Sequence, residues 1–78
     1  MKSIENQIAE IKNVINNNRL IADRMDELKR LGYNVEPSVP MGSGGCGQVR
    51  KMSNGTIRVQ IGAAWSRNNY APVVIINQ

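Results

Sequence analysis

A chain of 78 residues allows one domain with a small core, because a lone domain of this size buries only about 60% of its unfolded surface and is marginally stable without help. It has a single cysteine, Cys46, and no histidine, which excludes an intrachain disulfide and removes the usual ligands of zinc or haem. The formal charge of +4 lies wholly in residues 37–78, which carry Arg50, Lys51, Arg58 and Arg67 and no carboxylate side chain, while basic and acidic side chains cancel in residues 1–36.

No metal or cofactor is therefore expected, and self-association is the remaining form of help for so small a core. The N-terminus has no continuous apolar run, so neither a signal peptide nor a membrane span is expected. One unpaired thiol fits a reducing cytoplasm.

Residues 1–32 read as helix. Ser3 is a good N-cap with Glu5 in the first turn, Lys29 and Arg30 load the last turn, and Gly32 supplies the stop. Setting Ile4, Ile11, Asn18 and Met25 at heptad position a places Gln7, Val14, Ile21 and Leu28 at d, with Ile8, Ile15 and Ala22 at e. A stripe that wide suits packing on a sheet as well as on another helix. An unbroken helix of about 28 residues would run roughly 42 Å, longer than the roughly 30 Å expected for a compact globule with a radius of gyration near 11 to 12 Å. Either the helix pairs with another subunit, with Asn18 setting the register of a coiled coil, or it breaks near Asn16–Asn18 and folds back.

Residues 33–47 form a Pro/Gly-rich connector. Tyr33 to Glu36 reads as a short extended piece, and Pro37 and Pro40 turn their predecessors away from helix. The Met-Gly-Ser-Gly-Gly-Cys-Gly run (41–47) is either a flexible link or a cradle in which the amides of Gly44, Gly45 and Gly47 wrap an anion. Gly42, Gly44 and Gly47 satisfy G-x-G-x-x-G, but no convincing strand precedes them, no helix follows and no acid lies downstream, so a dinucleotide fingerprint fails. Gln48 and Val49 stand where a phosphate-binding loop needs Lys and Ser or Thr.

Residues 48–78 read as antiparallel sheet. Gln48 to Met52 and Thr56 to Gly62 flank Asn54-Gly55, a type I′ hairpin signal. Centred there, the turn pairs Met52 with Ile57, Arg50 with Val59 and Gln48 with Ile61, and puts Lys51 opposite Arg58, two like charges that are unfavourable without solvent or an anion between them. Val73 to Ile76, preceded by Pro72, forms a third strand that is apolar on both faces, with the helix covering one side and a neighbouring subunit the other. The intervening loop gathers Trp65, Arg67, Asn68, Asn69 and Tyr70. An aromatic face stacks on a base, Arg67 pairs with phosphate and carboxamides read base edges, although the same residues also suit a core cap and turns.

The expected architecture is α+β: a long N-terminal amphipathic helix, continuous or broken near Asn16–Asn18, on a three-stranded antiparallel sheet completed by oligomerisation, all in one domain over residues 1–78. Catalysis is not expected. There is no histidine, the basic half lacks a general base, and Cys46 has no base near it in sequence, although Arg50 is placed to lower its pKa. The reading favoured is a non-catalytic homo-oligomer, associated through the helix and residues 73–76, that binds or sequesters an anionic nucleotide-type ligand. The ligand-binding set is Trp65, Arg67, Asn68, Asn69, Tyr70, Arg50, Lys51, Arg58, Gly44, Gly45 and Gly47. One alternative is a phage-type inhibitor placed on a host protein or in its nucleic-acid channel; another is a weak DNA- or RNA-binding module, limited by its four cationic side chains.

Overall fold

A computed structural model describes residues 2–41, 44–64 and 69–77. The architecture is α+β, with two helices, α1 (Ile4–Asn17) and α2 (Ile21–Arg30), and four strands, β1 (Asn34–Pro40), β2 (Val49–Lys51), β3 (Ile57–Gln60) and β4 (Tyr70–Ile76). The strands form one antiparallel sheet in the order β1-β4-β3-β2. The Cα radius of gyration is 11.5 Å and the extents are 36 × 30 × 15 Å, the proportions of a two-layer slab.

The long helix is broken at Asn18–Leu20, and its hydrogen bonds show why. Asn18 leaves helical geometry (φ −129°, ψ 116°), and its side chain donates to the Val14 carbonyl at 2.9 Å and to Glu27 Oε1 at 3.0 Å. The asparagine satisfies a helix-end carbonyl and pins α1 to α2 within one chain, so the continuous heptad seam does not form. Arg24 completes the corner, its Nε donating to the Asn18 carbonyl at 2.6 Å and its Nη1 to the Ile61 carbonyl at 2.8 Å. The outer ends follow their capping residues: the Ser3 hydroxyl accepts from the Asn6 amide at 3.1 Å. Gly32, at φ +94°, closes α2 with Gly32 N–H to Lys29 and Tyr33 N–H to Leu28, the paired bonds of a left-handed glycine stop.

The apolar stripe faces the sheet. Ile11 and Val14 from α1 and Leu28 from α2 share a core with Ile57, Val59, Ile61, Val74 and Ile76, and Ile4, Ile8, Ile15, Met25, Tyr33 and Val35 pack around it. A second, smaller cluster of Met41, Ala71 and Val73, with Val39, Ala64 and Ile75, occupies the opposite face. Strand β4 is thus apolar on both sides because each of its faces has a cluster in the same chain.

The sheet has four strands rather than three. The Pro37-Ser38-Val39-Pro40 stretch joins as an edge strand, where proline is tolerated. The β1–β4 register shifts between Glu36, opposite Val73, and Val39, opposite Ala71. Pro72 therefore lies inside β4 rather than ahead of it, facing the bulge at Pro37 and Ser38. A residue without an N–H sits where the ladder is already interrupted.

The β2–β3 hairpin is one residue out of the expected register. Lys51 pairs with Ile57, Arg50 with Arg58 and Val49 with Val59. Among the described non-glycine residues only Asn69 has positive φ, so Asn54 does not adopt the left-handed geometry that a type I′ turn requires. Instead the Gly55 N–H closes a turn on the Met52 carbonyl, Gly55 itself takes φ +90°, and the Met52 N–H bonds the Thr56 carbonyl. This is a three-residue loop with a glycine bulge. Asn54 Oδ1 fixes the exit by accepting from the Thr56 amide at 3.0 Å and hydroxyl at 2.7 Å.

Candidate functional site

The one-residue shift decides which cations meet. Since Val59 belongs to the helix-side core, strand alternation turns Arg58 and Gln60 to the outer face, away from the helices. Arg50 lies directly opposite Arg58, so the like-charged pair is two arginines. Lys51 instead stands opposite the core residue Ile57 on the helix side and is exposed. The next step along the hairpin brings Gln48 beside Gln60, joined by Gln60 N–H to the Gln48 carbonyl at 2.8 Å. Four polar side chains thus form a block, with Gln48 and Gln60 in one row and Arg50 and Arg58 in the next.

The β1-to-β2 connection explains how this block is held. The two strands lie at opposite edges of the sheet, so the chain must cross β4 and β3 between Pro40 and Gln48. Arg58 Nη1 donates to the Pro40 carbonyl at 2.8 Å and Arg50 Nη1 to the Met41 carbonyl at 2.9 Å. The start of the crossover is therefore tied over the outer face by both guanidiniums, and the Met41 amide bonds the Asn69 carbonyl at 3.0 Å. Met41 is buried, and Gln60 is 0% exposed.

Hydrogen bonding in the block is incomplete. Gln60 Nε2 donates to the Gly62 carbonyl at 2.7 Å, yet among the described residues its Oε1 has no partner; nor do the buried Gln48 Oε1 and Arg58 Nε. Buried polar atoms are normally paired, and leaving one unpaired costs about 1–3 kcal/mol. Among the described residues the one ion pair is Lys2 with Glu10, so neither arginine of the block is neutralised by a carboxylate.

The glycine turn contributes differently from a simple amide cradle. The Gly47 N–H donates to the Gln60 carbonyl at 2.8 Å and the Gly45 carbonyl accepts from the Gln48 amide at 3.2 Å, so these groups terminate the β2–β3 ladder. Gly44, at φ +152°, is held close to Gln48: a Cβ there would stand 1.9 Å from Gln48 Oε1. Asn69 adopts φ +57° and leads into β4, where Tyr70 pairs with Pro40. Trp65, Arg67 and Asn68 lie outside the described residues.

Cys46 is exposed beside a cleft of about 300 Å³ lined by Lys12, Ile15, Asn16, Cys46 and Gly47. Its sulfur accepts from Arg24 Nη1 at 3.6 Å, whereas Arg50 is engaged with Met41. A second cleft of about 300 Å³ is lined by Lys2, Gln7, Glu10, Leu31, Gly32 and Tyr33. There Lys2 Nζ reaches Glu10 Oε2 at 2.6 Å and the Tyr33 hydroxyl donates to Glu10 Oε1 at 2.5 Å. The bond from Lys2, then that from Tyr33, holds the Glu10 carboxyl below its ordinary range. Burial, then the bond to Glu10, pushes the Tyr33 hydroxyl up.

The outer-face block thus joins Arg50 and Arg58 from the sequence-derived set with Gly44, Gly45 and Gly47 at its rim, and leaves Lys51 on the other face. Gln48 and Gln60 are additions; their signal in the sequence was the two-residue spacing from Arg50 and Arg58, readable only once the hairpin register is known. No cluster of three or more metal-ligating side chains occurs among the described residues, and no helix among them is long and apolar enough to cross a membrane. Comparison of the chain with protein-family models, curated proteins and solved structures finds no match.

Proposed function

We propose that this protein is a small, non-catalytic homo-oligomer that binds or sequesters an anionic nucleotide-type ligand through its acid-free β region. The observation that carries the reading is the Arg50–Arg58 pair, two cross-strand guanidiniums on one face, neither ion-paired among the described residues. Each uses one Nη1 on a backbone carbonyl, which fixes its position and leaves its charge without a carboxylate partner among the described residues. Preorganised guanidiniums with further N–H groups suit phosphate better than lysines, because their planar forks match two oxygens at once. Self-association rests on the exposed apolar side chains Leu20 and Ile21 at the helix corner.

The test is a thermal-shift and calorimetric titration with a panel of mononucleotides, dinucleotides and cyclic nucleotides. One nucleotide class is expected to raise the melting temperature by several degrees, and Arg50→Gln with Arg58→Gln is expected to abolish the shift. No shift across the panel, with the protein folded, overturns the reading.

A further inference from the structure

The free edge of β2 is built differently from that of β1. Strand β1 carries Pro37, Pro40 and a register shift, whereas Val49, Arg50 and Lys51 pair with β3 without interruption and are all exposed. The bonds at either end set the phase of the ladder: Met52 N–H donates to the Thr56 carbonyl and Gln60 N–H to the Gln48 carbonyl, both at 2.8 Å. Bonded and non-bonded pairs alternate along an antiparallel ladder, so Arg50 with Arg58 is the bonded pair between them. Val49 and Lys51 consequently turn their N–H and carbonyl groups away from β3, to a side on which no strand among the described residues pairs with them.

The side chains of this edge have a definite chemistry. Ile57 and Val59 belong to the helix-side core, so their partners Lys51 and Val49 share that face. Val49 is apolar and 41% exposed, and Lys51 has no carboxylate partner among the described residues. The cleft of about 300 Å³ between α1 and the turn leading into β2 adds Lys12 to the same neighbourhood. Residues 37–78 contain no carboxylate side chain to offset these cations.

Going beyond the nucleotide reading and independent of it, we propose that β2 docks an extended acidic segment of a partner protein as a further antiparallel strand. In strand addition, main-chain bonds supply affinity and alternate side chains supply specificity. The residue opposite Lys51 is a carboxylate, the next, opposite Arg50, is a second carboxylate, and the one opposite Val49 is apolar. A second copy of the chain is the wrong occupant, because β2 laid against β2 brings like charges together.

The probe is the acetylated, amidated peptide Ser-Thr-Glu-Glu-Val-Thr-Ser, titrated into the isotope-labelled full chain and followed by amide NMR. Shifts are expected to centre on Val49 and Lys51, with slowed hydrogen exchange at those two amides. Lys51→Glu is expected to weaken binding at least about fivefold. Val49→Pro is expected to abolish it, since the lost N–H lies outside the β2–β3 ladder and proline is tolerated on an edge strand; the two variants stand in for one another should either fail to fold. Equal binding of the same peptide N-methylated at its first glutamate and its valine, which can no longer donate to the edge, overturns strand addition in favour of charge attraction alone. No binding, shifts centred on the Arg50–Arg58 face, or binding of oligothymidylate in place of the peptide also overturns the proposal.

Discussion

At the scale of single residues, the Glu10 carboxylate shows how a local pairing governs the response to pH. Lys2 and Tyr33 both bond its ionised form, so its pKa in the folded chain lies below the ordinary value of 4.5. A depressed carboxylate contributes stability that is complete above its unfolded pKa and is lost as pH falls through that value toward the folded one. The melting temperature is therefore expected to decline as pH is lowered below about 4.5, and a Glu10→Gln variant to show a shallower decline over the same interval. Equal slopes for the two proteins, followed by circular dichroism, would remove Glu10 as the cause. Tyr33 acts in the opposite sense: its pKa is raised from 10.0, so its contribution holds below pH 10 and is lost only above it.

At the scale of elements, the hairpin turn has the largest consequence for the site. Gly55 sits at φ +90° in open space, so an alanine there meets no neighbour but adopts a disfavoured backbone conformation. Gly55→Ala is expected to cost about 1 kcal/mol in chemical denaturation. A change near zero would mean that the three-residue loop had given way to another turn, and the Arg50–Arg58 pairing with it. Much of the element plan was legible because it depends on local chemistry: Ser3 caps α1, Gly32 ends α2, and the apolar run 73–76 forms the core of β4. What was not legible depended on partners distant in sequence. Asn-Gly permits two turn types, and the choice moves Arg58's partner from Lys51 to Arg50. Pro37 and Pro40 turn Glu36 and Val39 away from helix, but the sheet edge they join is set by β4, whose Pro72 lies across the bulge. Gln60 stands two residues from Arg58 on the same strand, and its complete burial is not readable from that spacing.

At the scale of the whole molecule, the break in the helix removes one reason to expect an oligomer and redirects another. With α1 only 14 residues long, about 21 Å at the usual helical rise, no helix overhangs the 36 Å body. Strand β4 is hydrogen-bonded on both sides within the chain, and its Val73, Val74 and Ile76 are buried, so it presents no edge to a neighbour. The outer strands are poor templates too: β1 carries two prolines and a bulge, and β2 has three residues, two of them cationic. These are devices that block edge-to-edge pairing. The association proposed above is therefore assigned to side-chain packing at the helix corner, where Leu20 is 63% and Ile21 38% exposed. Sedimentation velocity is expected to show a species larger than the 8.6 kDa chain, and Leu20→Lys to shift it toward monomer without lowering helix content. Leu20 stands just ahead of α2 and accepts the Arg24 amide through its backbone carbonyl, so the substitution preserves that helix-starting bond and tests the apolar contact alone. A wild-type monomer at high micromolar concentration would leave the corner leucine as an ordinary exposed residue and confine the proposed ligand site to a single chain.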